Sequence, residues 1–320
     1  MLIYTIRRLI LFITTLLLIT VVGFSILRLD TESPWFYQSA VSGWWNYLLQ
    51  VLQGNFGRYP NGVPVVSDII VLFPATLELI FIAFCVSLLI GIPVGTLAGM
   101  SRNSLLDKVI TSISLVGYSI PIFWLAIILI LFFSINLEWL PVSGRYNLLY
   151  DIPHITGISI IDILLSDIPH KQELLQNVIE HLVLPTIVLA VAPTTEVIGQ
   201  MRSSVAEVMT QNYIKAAATK GLSRFNIVFR HVLKNAIPPI IPSIGIQLST
   251  MLTLATLTEF VFNRPGIGRW LLDAVAQQNY LAIQAGIVTV AVFILVASII
   301  SELVGAIVNP LLRKEFYAIR

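Results

Sequence analysis

The chain has 320 residues, 57% hydrophobic and 11% charged, with a formal net charge of +2. Soluble domains run at roughly 45–50% apolar and about 25% charged, so a water-soluble globular enzyme is excluded, and the near balance of charge leaves no footprint for nucleic acid. A single cysteine, Cys85, excludes an internal disulfide framework, and four scattered histidines fit no zinc spacing.

A bilayer core of about 30 Å takes roughly 20 apolar residues of helix. Six segments meet that length: Leu9 to Leu27, Thr76 to Met100, Val109 to Ile135, Leu182 to Arg202, Pro238 to Phe262 and Ile283 to Asn309. The expected fold class is an all-α membrane protein of six transmembrane helices, one domain over residues 1–320. The first span follows Arg7 and Arg8 and runs into Arg28-Leu29-Asp30 without a small-residue cleavage site. It is therefore expected to remain as an anchor rather than to be removed as a signal.

The outer loop 28–75 is rich in Trp, Gly and Pro (Trp35, Trp44, Trp45, Gly57, Pro60) and reads as a folded cap with an interfacial aromatic belt. In the second span Gly91, Gly95 and Gly99 make two overlapping Gly-x-x-x-Gly steps, a pattern that lets helices approach closely. Pro93 there, and Pro121 in the third span, remove backbone donors and are expected to kink their helices. The second outer loop, 136–181, contains the apolar run Ile155 to Leu165. At about 11 residues it is too short to cross, and it is expected to be a short interfacial or buried helix.

Ionisable groups at membrane depth are candidate functional residues by default. Glu78 and Glu259 lie near the outer ends of their spans, where water or headgroups are expected to solvate them, and Glu302 lies near an inner end. Glu196 is the candidate for a translocation path: its carboxylate suits a passing polyamine or basic peptide. It equally suits hydrogen bonding to its polar neighbours and a role in packing. After Phe262, residues Asn263 to Gly268 read as a turn-rich outer loop, followed by a short helix from Arg269 to Gln278.

Lys and Arg gather on the cytoplasmic side of membrane proteins. With both termini inside, 13 of the 19 Lys and Arg fall in inner segments against three acids, a net of +10; the outer loops carry the other six against ten acids, a net of −4. The N and C termini are therefore expected to be cytoplasmic. No His-Glu-x-x-His motif and no Gly-Lys dipeptide occur, so the chain offers neither a metalloprotease site nor an ATP-binding loop.

The inner loop 203–237 is the most informative segment. Ser204-Val205-Ala206-Glu207 has the form of a capping box, which predicts a helix from there to Gly221 of roughly 17 residues, about 25 Å. Gly221 suits the position just past a helix end. Ala206, Met209, Tyr213 and Ala217 would share one side, with Glu207, Gln211 and Lys215 on another. A rigid lever and a basic helix lying on anionic lipid both fit this pattern.

Lys215-Ala216-Ala217-Ala218-Thr219-Lys220-Gly221 resembles the Glu-Ala-Ala-x-x-x-Gly loop of ABC-importer permeases. Further segments are similar to the dipeptide and oligopeptide branch of that family: Phe73-Pro74-Ala75-Thr76-Leu77-Glu78-Leu79, Ser119-Ile120-Pro121-Ile122-Phe123-Trp124-Leu125, Arg230-His231-Val232-Leu233-Lys234-Asn235-Ala236 and Pro265-Gly266-Ile267-Gly268-Arg269. Trp139 to Tyr150, Ala192 to Val197 and Gln211 to Ser223 are most similar to Sap-type B permeases, linked to peptide and putrescine transport.

The resemblance implies a type I importer permease fold in a bacterial inner membrane, working with a second homologous permease, two ABC ATPase subunits, a periplasmic substrate-binding protein and membrane lipid. It implies no cofactor bound by the chain itself, ATP and Mg being used by the partners. It assigns ATPase coupling to the loop holding Tyr213, Lys215, Ala216, Ala217 and Gly221. The chain departs from the motif in having Lys215 at the leading Glu and in lacking its distal Ile-x-Leu-Pro portion. A membrane enzyme using outer acids and histidines, or a sensory or structural scaffold, are the competing readings; substrate identity and the direction of transport stay open.

Overall fold

The computed structural model describes residues 2–31 and 33–308, with the side chains of residues 2–5 and 8 outside the description. Of the charges counted above, the Arg8 side chain and Glu32, Arg313, Lys314, Glu315 and Arg320 lie outside the described residues, as does Asn309 at the end of the sixth span. The described chain is helical, with one isolated β-bridge between Arg58 and Pro64.

Helix α1 (Leu2–Leu27) leads to a cap containing α2 (Ala40–Leu52), whose N-cap Ser39 accepts a hydrogen bond from the Ser42 amide. The cap is folded, as its composition suggested: Tyr47 packs with Phe24 and Trp35, and its hydroxyl donates to Gln284 Oε1 at 2.6 Å. The hydroxyl of Tyr59 donates to Asp68 at 2.7 Å, and burial first, then the Asp68 carboxylate, raises its pKa. Helix α3 (Val65–Met100) begins within the expected loop and runs 36 residues, about 54 Å. Pro74 and Pro93 are accommodated inside it.

The third expected span is not one rod. Helix α4 (Leu105–Ser119) and α5 (Ile122–Leu129), which continues as a π-helical turn over Ile130–Asn136, meet at 94°. Pro121 breaks the helix rather than kinking it. The residue before a proline is pushed out of the helical region, and Ile120 adopts ψ 123°, extended backbone. Among the described residues five helices are long and apolar enough to cross a membrane, or six if this bent pair is one span.

The short apolar run forms α6 (Ser159–Leu165), with Asp162 and Ile163 buried. Helix α7 (Lys171–Met209) then runs 39 residues, about 58 Å. It carries straight through the expected start at Ser204, which is mid-helix. The Ser204 hydroxyl donates to the Ala236 carbonyl at 2.8 Å instead of capping α7. That carbonyl needs a donor because the following Pro238–Ser243 segment is wound as a 3₁₀ helix, in which the Ile240 amide bonds Ile237 one residue too early.

After Thr210 and Gln211, α8 (Asn212–Thr219) is a separate helix of eight residues. The chain then climbs through α9 (Arg224–Ile227), a π turn at Val228–Val232, α10 (Leu233–Ala236) and the 3₁₀ segment into α11 (Ile244–Val261). The expected loop 203–237 is therefore mostly helical extension of its flanking spans, with α8 between them. Helix α12 (Ile267–Ala276) and α13 (Tyr280–Val308) complete the described chain.

Helix α3 lies along α7 over much of its length, and α13 packs on α1 and α11. A Cβ on Gly95 would sit 2.6 Å from Met201 Cβ and 2.8 Å from the Ile198 carbonyl; Gly91 and Gly99 meet Val197 and Val205 one turn to either side. Matching four-residue steps on both helices let the backbones touch. The main core gathers Leu79, Ala83, Val178, Leu182, Leu189 and Met251 from α3, α7 and α11.

Candidate functional site

Helix α8 and the turn after it form a compact knob on an apolar platform. Ile214 and Ala217 are buried with Val205, Ile227 and Val232, so one side of α8 is fixed to the body of the protein. The other side, with Tyr213, Lys215, Ala216 and Ala218, is exposed. The anticipated single stripe from Ala206 to Ala217 is interrupted at Thr210 and Gln211, and Ala217 faces inward as part of the platform.

The far end of α8 is closed by backbone geometry. Gly221 has φ +77°, a conformation costly for a side-chain-bearing residue. Its amide donates to the Ala218 carbonyl at 3.1 Å while the Leu222 amide donates to Ala217 at 3.4 Å, the paired bonds of a Schellman motif. Ser223 accepts from the Asn226 amide at 3.3 Å and starts α9 immediately. Two turns of chain thus leave Leu222, Phe225 and Phe229 exposed beside α8, with the phenyl rings of Phe225 and Phe229 4.4 Å apart. Exposed aromatics next to a small-residue helix make a surface suited to another protein.

Glu196 lies on α7 facing a cavity of about 320 Å³ at the Pro121 break, lined also by Tyr118, Ala192, Thr250 and Leu254. Among the described residues its carboxylate has no protein hydrogen-bond partner, so the packing alternative, in which its polar neighbours hold it, is not what the geometry offers. Thr195 beside it donates to the Ser114 and Val191 carbonyls instead. One turn and a half further along α7, Arg202 forms a two-pronged bond with buried Asp107 on α4, with Nη2 to Oδ2 at 2.8 Å.

At the opposite end, Glu78 and Glu259 differ from expectation: they are 3% and 0% exposed, and protein groups take the place of water. Arg145 and Arg264 both donate to Glu78 Oε2 at 2.9 Å, and the Ile160 amide donates to Oε1 at 3.2 Å. Glu259 accepts from the Thr76 hydroxyl and, at 2.9 and 3.1 Å, from the Gly268 and Arg269 amides at the start of α12. An anion there complements the exposed amides of a helix N-terminus. Burial lowers the Arg264 pKa, offset in part by Glu78.

Sequence reading passed over Arg145 and Arg264, both partners of Glu78, and Asp107, the partner of Arg202. The signal was present as two lone arginines set among Pro and Gly in outer segments. No group of three or more metal-ligating side chains occurs among the described residues.

The fold and these features define the membrane-spanning part of a transporter. Residues 91–314 match the family of the binding-protein-dependent transport system inner membrane component, and the chain belongs to that family. It is 50% identical over the full length of both chains to the putrescine export system permease protein SapB of Escherichia coli K12. It is 49% identical, again over both full lengths, to the peptide transport system permease protein SapB of Salmonella typhimurium LT2. In fold it resembles a chain of the MetNI methionine ABC transporter in an inward-facing conformation, with TM-score 0.56 and 17% identity over 73% of this chain and 93% of that one. The protein is accordingly a multi-pass inner-membrane permease subunit of an ABC transporter with the type I importer permease fold, and not an enzyme.

Proposed function

We propose that this permease forms half of a pore for cationic peptides or polyamines, paired with a second homologous permease, driven by two ATPase subunits and supplied by a periplasmic binding protein. In this reading both termini and α8 are cytoplasmic, and ATP and Mg are used only by the partners. The observation that carries it is the exposed face of α8, backed by the packed platform of Ile214 and Ala217 and flanked by Phe225 and Phe229. A knob held on one side and bare on the other transmits force from a partner into α7 and α9. ATP binding shifts the pore only so far as the ATPases grip the two conformations with different strength.

The unpartnered carboxylate of Glu196 supports passage of a cation at the α4–α5 break. The names of the two close relatives, one for putrescine and one for peptides, share amine chemistry, which supports the same substrate class. The test is the assembled complex in proteoliposomes carrying Ala216→Asp, on the exposed face of α8. Transport is expected to fall at least tenfold while the complex still inserts and hydrolyses ATP. Unchanged coupling of hydrolysis to transport in that variant overturns the assignment.

A further inference from the structure

At the end of the molecule opposite α8, a cleft of about 670 Å³ opens between the turn after α5, the first turns of α7 and the α11–α12 connection. Its size falls within the roughly 300–1,000 Å³ of small-molecule sites. Its walls hold Glu138, Trp139, Tyr146, Glu180 and His181, with Arg145 at the back. We propose that this cleft binds an organic cation bearing primary amines, as a receiving site distinct from the Glu196 cavity. The proposal rests on the reading above that this end faces the periplasm.

The wall chemistry is that of an acceptor set. The Arg145 guanidinium is engaged away from the cleft, with Glu78, which Arg264 shares, and with the Gly157 carbonyl at 2.6 Å. Glu180 accepts one bond, from Gln176 at 2.9 Å through Oε1, which leaves Oε2 available. His181 Nδ1 lies 2.8 Å from the Asn177 carbonyl; a carbonyl only accepts, so Nδ1 carries a proton. Trp139 and Tyr146 add ring faces, which attract alkylammonium groups. The carboxylates of Glu138 and Glu180 with the rings of Trp139 and Tyr146 together suit ammonium donors.

The site is also built before any ligand arrives. Glu138 sits in the left-handed region at φ 54°, an uncommon conformation for such a residue, directly after the π turn. The turn is tied down at four points: Ser134 Oγ to the Pro141 carbonyl at 3.2 Å, the Gly144 amide to Phe262 at 2.9 Å, the Asn147 amide to Asn177 Oδ1 at 2.8 Å, and Arg145 to Glu78. None of these bonds involves Glu138, which is therefore held in place by backbone and left free to bind. Preorganisation of this kind lowers the ordering cost of binding.

The test uses the permease–ATPase complex in nanodiscs, without nucleotide and without binding protein, titrated calorimetrically with putrescine, Lys-Lys, Ala-Ala and Glu-Glu. Putrescine or Lys-Lys is expected to bind, with Ala-Ala and Glu-Glu at least tenfold weaker. Which of the two cations binds more tightly separates a diamine from a basic peptide. Glu138→Gln with Glu180→Gln should weaken the preferred cation at least tenfold, and Trp139→Leu several-fold, with Trp139→Phe close to wild type. Glu138 and Trp139 are exposed and Glu→Gln is isosteric, so the variants are expected to fold, which an unchanged melting temperature checks. Wild-type affinity in the double variant, or no preference for cations over Ala-Ala, overturns the proposal. Either result leaves the α8 coupling test standing, because that test reads transport against hydrolysis.

Discussion

Glu78 and Glu259 hold α3, the outer turns and the start of α12 together through ionic and charge-assisted hydrogen bonds, all in protein interior. At the other end, α8 is held by apolar contact on one side and by its own backbone caps. The first arrangement tolerates no missing member, since a carboxylate shared by two buried arginines leaves charge stranded if it is removed. The second loses little stability when a side chain on its bare face changes. Rigidity at one end and a replaceable grip at the other is what a subunit worked from a single side requires.

The sharpest way to break this contrast is Glu78→Ala. It strands Arg145 and Arg264 in the interior and is expected to cost about 3–5 kcal/mol, the usual effect of removing one partner of a buried ion pair. A melting temperature of the purified complex within a degree of wild type would contradict the account of that end. Next in size is Gly95→Val at the α3–α7 contact. Overpacking there should destabilise by about 1–3 kcal/mol, read as a lower melting temperature, while Gly199→Ala on α7, where added volume meets nothing within 4 Å, should do far less.

A similar change in stability but a larger one in coupling is expected from Gly221→Val. A β-branched residue at φ +77° is strained by about 1–3 kcal/mol, which opens the turn locally. ATP hydrolysis should then proceed with reduced transport; full coupling in proteoliposomes would show that the turn need not be closed. Smallest of all in stability is Phe225→Ala on the exposed patch, expected within about 0.5 kcal/mol of wild type. Its effect should appear as weaker copurification of the ATPases, and retention of wild-type stoichiometry would remove Phe225 from the partner surface.

Spans were legible because apolar run length is a property of local composition. Gly221 was legible too, since a glycine past an alanine run signals a left-handed cap, and the structure has φ +77° there. The start of α8 was misread because a capping-box pattern at Ser204 competes with continued helix, and a carbonyl 32 positions away, at Ala236, claims its hydroxyl. The break at Pro121 looked like a kink because sequence gives no measure of how far two helices can turn apart. Glu78 and Glu259 were expected beside water or headgroups and are instead buried among protein groups. Their partners Arg145, Arg264 and Thr76 lie 67 to 186 positions away, beyond any periodicity argument.

Helix α7 begins beside the cleft lined by Glu138 and Glu180, passes Glu196 and the Arg202–Asp107 pair, and stops two residues short of α8. A rod of about 58 Å that rocks by about 5° about Met201 moves its far end by about 4 Å and its α8 end by about 1 Å in opposite senses. Gly91, Gly95 and Gly99 bring α3 against Val197, Met201 and Val205 in the last third of that rod, where such a see-saw needs its fulcrum. A small displacement on one side of the membrane is then felt on the other with its direction reversed, without any change in the rod itself.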